Sequence, residues 1–135
     1  MIASDLACIE RLLSDFAWYA DRGNGTELAQ LFVADGVLHV GGREFTGRVA
    51  IAEDCETRAR DPLRKTRHVW SNLRVERSDT ASASLTAVQL TFEQRGDDAP
   101  AELRISDLHD DVCKDADGAW RFRRRVIQRQ MTLAM

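Results

Sequence analysis

Leu6, Ile9, Leu12, Leu13, Phe16 and Ala20 recur at steps of three and four residues, the period of an amphipathic helix. Ser4 is its expected N-cap and Gly23 its expected stop. A shorter helix is expected over about 26–32, with Leu28, Leu31 and Phe32 as its apolar face. Gly36 then opens a short strand, Val37–Val40, which Gly41-Gly42 turns into a partner containing Phe45. A third helix follows Gly47 and ends before Pro62. Beyond Pro62 the period changes to that of a strand. Four segments rich in strand formers lie near 66–77, 80–94, 102–114 and 119–131. Ser78-Asp79, Gly96-Asp97-Asp98 and Asp115-Ala116-Asp117-Gly118 separate them, polar turn signals at hairpin spacing. Helices first and antiparallel strands afterwards predict an α+β fold over residues 1–135. A long, twisted antiparallel sheet curls, and helices cover its concave face. The space between them is a natural apolar pocket.

Composition narrows the classes. The chain has 135 residues, 44% hydrophobic and 30% charged, enough to bury the core of a single domain and keep a polar surface. A net charge of −3 argues against a general nucleic-acid binder. The arginines at 121, 123 and 125 alternate with Trp120, Phe122 and Val126, and are expected on a solvated strand face. No apolar run approaches the roughly 20 residues that span a bilayer. Asp5, Glu10 and Arg11 interrupt the N-terminal apolar pattern, so it does not read as a signal peptide. Cys8, Cys55 and Cys113 are odd in number and widely spaced, as reduced packing thiols are. A cytoplasmic protein with its mature start near Met1 is the expectation. His39, His68 and His109 stand apart, with no short-spaced pair to seed a metal site. Gly23-Asn24-Gly25 lacks the flanking features of a phosphate loop. No metal and no cofactor are expected.

One pair of residues stands out chemically. His68 sits in Thr66-Arg67-His68-Val69-Trp70-Ser71-Asn72, where the helical region gives way to strands, and Asp21 follows Trp18-Tyr19-Ala20 at the end of the first helix. An imidazole, with an ordinary pKa of about 6.5, acts as base or acid near neutral pH. A carboxylate beside it holds its tautomer and offsets its charge. The plainer alternatives are a solvated helix-end carboxylate and a core histidine bonded to a backbone carbonyl. Strand alternation places His68, Trp70 and Asn72 on one face, where Trp70 is either a flat pocket wall or a core residue. Tyr19 offers a phenol two residues before Asp21. Asp107, His109 and Asp111 share a face of the third long strand, and His109 is the better candidate for a second titratable partner.

The element order, together with Leu31-Phe32-Val33-Ala34-Asp35-Gly36, Thr66-Arg67-His68 and Asp117-Gly118-Ala119-Trp120-Arg121-Phe122, resembles the SnoaL-like branch of the NTF2-like superfamily over nearly the whole chain. The resemblance implies a cone-shaped fold, a curved antiparallel sheet wrapped around N-terminal helices. That branch includes scytalone dehydratase, bile-acid dehydratase, polyketide cyclases, ketosteroid isomerase and the small subunits of ring-hydroxylating dioxygenases. Asp21 resembles the aspartate that the dehydratases place at the end of helix 1, and His68 resembles their catalytic histidine. The second histidine of scytalone dehydratase falls near Thr91, and its polar pair near Asp107 and His109. Arg129 matches the spacing of an arginine used by bile-acid dehydratase, with Arg125 second. The general base and pocket tyrosine of the isomerase fall on Val40 and Phe16, which argues against that chemistry. The dioxygenase small subunits carry a similar Thr-Arg-His string without catalysis.

What the resemblance implies is a cofactor-independent lyase of dehydratase or hydratase type, acting on a hydrophobic cyclic or polyketide-like hydroxy-carbonyl substrate. Asp21 and His68 would be catalytic. Tyr19, Trp70, Asn72, Thr91, His109 and Arg129 would contact substrate. The alternative is a non-catalytic ligand-binding or assembly module. A homodimer is expected under both, with a trimer as the other possibility, through the outer face of the sheet.

Overall fold

A computed structural model describes residues 1–135. Helix α1 runs over Ala3–Arg22 and buries Ile9, Leu12, Leu13, Phe16 and Ala17 along one stripe. Its start differs from expectation: Ile2, not Ser4, precedes the first helical residue. The Asp5 carboxylate accepts the Ile2 N–H at 3.1 Å and the Trp120 indole N–H at 3.1 Å, which ties the helix start to the far end of the chain. Gly23 ends α1 with φ +69°, and a Cβ there would lie 2.5 Å from the Ala59 Cβ. Glycine is therefore required on two counts, conformation and space.

Helix α2, Gly25–Ala29, is shorter than the pattern suggested. Phe32 belongs instead to strand β1, Phe32–Val40, where it is fully buried against Phe16 and Phe122 with ring centroids 6.3 and 5.1 Å away. Gly41 and Gly42, both with positive φ, turn β1 into β2, Arg43–Thr46, with Val40 opposite Arg43. Helix α3, Arg48–Arg58, follows, and the Arg48 guanidinium donates twice to the Phe32 carbonyl at 2.8 and 2.9 Å.

The remaining strands are β3 (Arg64–Ser78), β4 (Ser82–Arg95), β5 (Glu102–Lys114) and β6 (Trp120–Ala134). The six strands form one curved, unclosed sheet in the order β2-β1-β6-β5-β4-β3, with the three helices on its concave side. All neighbours are antiparallel except β1 and β6, which run parallel. The core lies between the concave face and the helices, and α1 contributes Ile9, Leu12, Leu13 and Phe16 to it.

Two irregularities decide which side chains reach that core. The β5–β6 register jumps between Asp111 and Val112, so that Arg124 faces Asp111, Phe122 faces Val112 and Arg123 is the extra residue. This bulge turns both Phe122 and Arg125 inward. Arg125, expected on the solvated face with Arg121 and Arg123, is instead completely buried. A second jump leaves Gln130 unpaired between Met131 and Arg129, and brings Arg129 opposite Ser106 on the concave face.

Candidate functional site

The end of α1 and the start of β3 meet at Asp21. Its Oδ1 lies 2.5 Å from the His68 Nδ1 and accepts the Thr66 hydroxyl at 3.0 Å. Its Oδ2 accepts the His68 backbone N–H at 3.0 Å. An ionised carboxylate only accepts, so Nδ1 is the protonated nitrogen and Nε2 remains for a ligand. The Asp21 side chain is 5% exposed and that of His68 14% exposed. Thr66 and His68 share the concave face because they are two residues apart on one strand. The alternation that singles out His68 therefore also points to Thr66.

His68 forms part of the wall of a cavity of about 880 Å³ between helices and sheet. Phe16, Ala20, Leu28, Leu38, Val126 and Ile127 supply its apolar surface. Cys55 is its only thiol, and burial pushes that thiol up to about 11, so it stays protonated at neutral pH. Gln89, Thr91 and Ser106 form a polar strip on the sheet side, each at most 4% exposed, and none of these side chains bonds to another protein group. Thr91 lies directly opposite His68 in the β3–β4 register. The outer part of the cavity is charged. Glu93 binds Arg64 at 3.0 Å, Arg95 at 3.2 Å and Arg104 at 3.3 Å. Burial pushes the Glu93 carboxyl up, but Arg64 and Arg104 more than cancel this and hold it below its ordinary range.

The residues named from sequence divide clearly. Asp21 and His68 come together, and Thr91 and Arg129 line the same cavity as His68. Tyr19, Trp70, Asn72 and His109 do not line it. Phe16 and Ala20 carry the cavity-facing stripe of α1, and Tyr19 is one 100° step off it. Trp70 borders a shallower groove outside α1 and donates its indole N–H to the Ser14 hydroxyl at 3.0 Å. Asn72 is exposed, with φ +59°, where the β3–β4 register breaks between Ser71 and Arg74. His109 is exposed, on the convex face with Asp107 and Asp111, while Ser106, Leu108 and Asp110 point inward. A displacement of one residue along β5 exchanges the two sets. Gln89, Ser106, Glu93 and Arg104 did not emerge from sequence. Gln89 and Thr91 do interrupt a buried phase that runs through Ala83, Leu85 and Ala87, a signal that alternation contains. No group of three or more His, Cys, Asp or Glu side chains converges in a metal-holding arrangement. No helix is long and apolar enough to cross a membrane.

Comparison with known proteins agrees with this architecture. Residues 1–126 match the family model of the SnoaL-like domain. A protein of Novosphingobium aromaticivorans provisionally assigned as a scytalone dehydratase superposes with a TM-score of 0.85 at 27% identity, covering 96% of this chain and 87% of that one. A second protein of that species, provisionally assigned as an aromatic ring hydroxylase, gives 0.83 at 18% identity, covering 100% and 96%. A hexachlorocyclohexane dehydrochlorinase, LinA type 2, gives 0.82 at 19% identity, covering 98% and 89%. No curated protein matches the sequence.

Proposed function

The chain belongs to the SnoaL-like domain family, whose NTF2-like fold binds or transforms small molecules, and from that premise we propose that it is a cofactor-independent lyase of the dehydratase or hydratase type. The observation that carries the reading is the 2.5 Å contact between His68 Nδ1 and Asp21, with His68 in the wall of a cavity of about 880 Å³. The substrate class is a hydrophobic cyclic or polyketide-like molecule with a hydroxyl β to a carbonyl. Its size suits the cavity, because pockets for drug-sized ligands run to roughly 300–1,000 Å³.

In this reaction the free His68 nitrogen takes the proton from the carbon α to the carbonyl. The C–H electron pair forms an enolate. The imidazolium, held by Asp21, then gives its proton to the departing hydroxyl on the same face, and water leaves as the double bond forms. Asp21 fixes the ring and offsets its charge. The developing enolate oxygen needs a donor, a role that Thr91, opposite His68, can fill from the cavity wall. The 27% identity to the provisionally assigned dehydratase is consistent with this chemistry.

The test uses a panel of cyclic β-hydroxy ketones and measures loss of water and exchange of the α-hydrogen in D2O. His68→Gln is expected to lower the rate by about 10²–10⁴. Asp21→Asn is expected to lower it in the same direction with the fold intact by circular dichroism. Full activity in both variants would leave Asp21 as a clamp that joins α1 to β3 and the domain as a binding or assembly module.

A further inference from the structure

The cavity holds more positive charge than its apolar interior requires. Five arginines line it, Arg58, Arg64, Arg95, Arg104 and Arg129, against three carboxylates, Asp54, Asp61 and Glu93. The whole chain carries −3, so this excess is local. Four of the five are neutralised. Arg58 pairs with Asp54 at 3.1 Å, Arg64 with Glu93, Arg95 with Asp61 and Glu93, and Arg104 with Glu93 and with Glu102 at 3.1 Å. Glu102 lies outside the lining, and even with it counted one cation is left over. That cation is Arg129, which has no carboxylate partner.

Its neighbours on the concave face reinforce the point. Arg129 faces Ser106 across β5–β6, and Ser106 faces Gln89 across β4–β5. Ser106 is 4% exposed and Gln89 2%, yet both line the cavity with no hydrogen bond to protein. Their side chains are therefore free to bond a ligand or solvent in the cavity. A guanidinium and two neutral donors in one row match the acceptor-only oxygens of a carboxylate.

We propose that the cavity is built for an amphipathic carboxylate. Its anionic end pairs with Arg129 and the Ser106–Gln89 row, and its apolar body lies against Phe16, Leu38 and Val126 in the cavity that His68 also lines. That the captured molecule reacts at His68 rests on the lyase reading above, whereas capture of the carboxylate does not depend on turnover.

The test measures equilibrium binding of three acid–amide pairs matched in shape, benzoate with benzamide, 2-naphthoate with 2-naphthamide, and anthracene-2-carboxylate with its amide. At least one acid is expected to bind about tenfold or more tightly than its amide, as a charge-assisted hydrogen bond allows. That preference should collapse in Arg129→Gln, survive in part in Arg129→Lys, and shrink between roughly 0.02 and 0.5 M salt. His68→Gln should keep the preference, so a failed elimination mechanism and a failed anion site give different results. Acids that never exceed their amides, or a preference unchanged in Arg129→Gln, would overturn the proposal.

Discussion

Asp110 and Arg125 face each other across β5 and β6 inside the core, 2% and 0% exposed, with Nε to Oδ1 at 3.4 Å. Phe16 and Phe122 flank the guanidinium at 4.3 and 4.8 Å. No polar side-chain atom of either residue has a hydrogen bond to protein. Such a pair gains little over an apolar one, but losing one partner strands the other charge. Arg125→Met alone is expected to lower unfolding free energy by about 3–5 kcal/mol, and Asp110→Leu with Arg125→Met to regain most of it, read from urea denaturation. Burial pushes the Asp110 carboxyl up to about 6 against the pull of Arg125. The native state then keeps a proton that the unfolded chain gives up from about pH 4. Stability therefore falls as pH rises from about 4 to 6, a slope that Asp110→Asn should abolish. At this scale the sequence was readable where two chemically matched residues fell on predicted element ends, as with Asp21 and His68. It was not readable for Arg125, because a single extra residue, Arg123, reverses the alternation that would have revealed it.

Among the elements, α1 is fastened at both ends. Asp5 meets Trp120 and Lys114 at its start, and Asp21 meets β3 at its finish. The site is therefore only as precise as the seating of this helix. Gly23 sets where α1 stops and lets Ala59, just past α3, approach it. Gly23→Ala combines a left-handed residue with a steric overlap and is expected to cost about 2 kcal/mol or more, seen as a lower thermal midpoint. His68 activity should fall with it, since Asp21 lies two residues upstream. Helix periodicity located α1 and α3 well, and turn residues located β3 to β6. The boundary between α2 and β1 was misplaced because Phe32 fits a helical stripe and a buried strand equally, and only its packing between Phe16 and Phe122 decides.

The whole molecule leaves β2 and β3 as open sheet edges and one broad face uncovered. On the convex side Phe92, Leu103 and Leu133 form one row across the strands, and Val69, Leu90, Ile105 and Met131 the next. Phe92, Leu133, Val69 and Met131 are 37%, 48%, 49% and 53% exposed. A contiguous apolar surface of this kind favours self-association. The proposed homo-oligomer is expected in light scattering, with Phe92→Lys plus Leu133→Lys shifting the mass to that of one chain. The order of helices and strands revealed the architecture from sequence, but not the parallel pairing of β1 with β6, which depends on contacts between residues about ninety positions apart. That pairing governs the timing of assembly. The β1–β2 hairpin has no other neighbour in the sheet, so these two strands wait without their sheet partner until β6 has been synthesised. Folding that depends on such distant contacts is slow, and the unfinished chain must keep Phe32 and Leu38 from aggregating in the meantime.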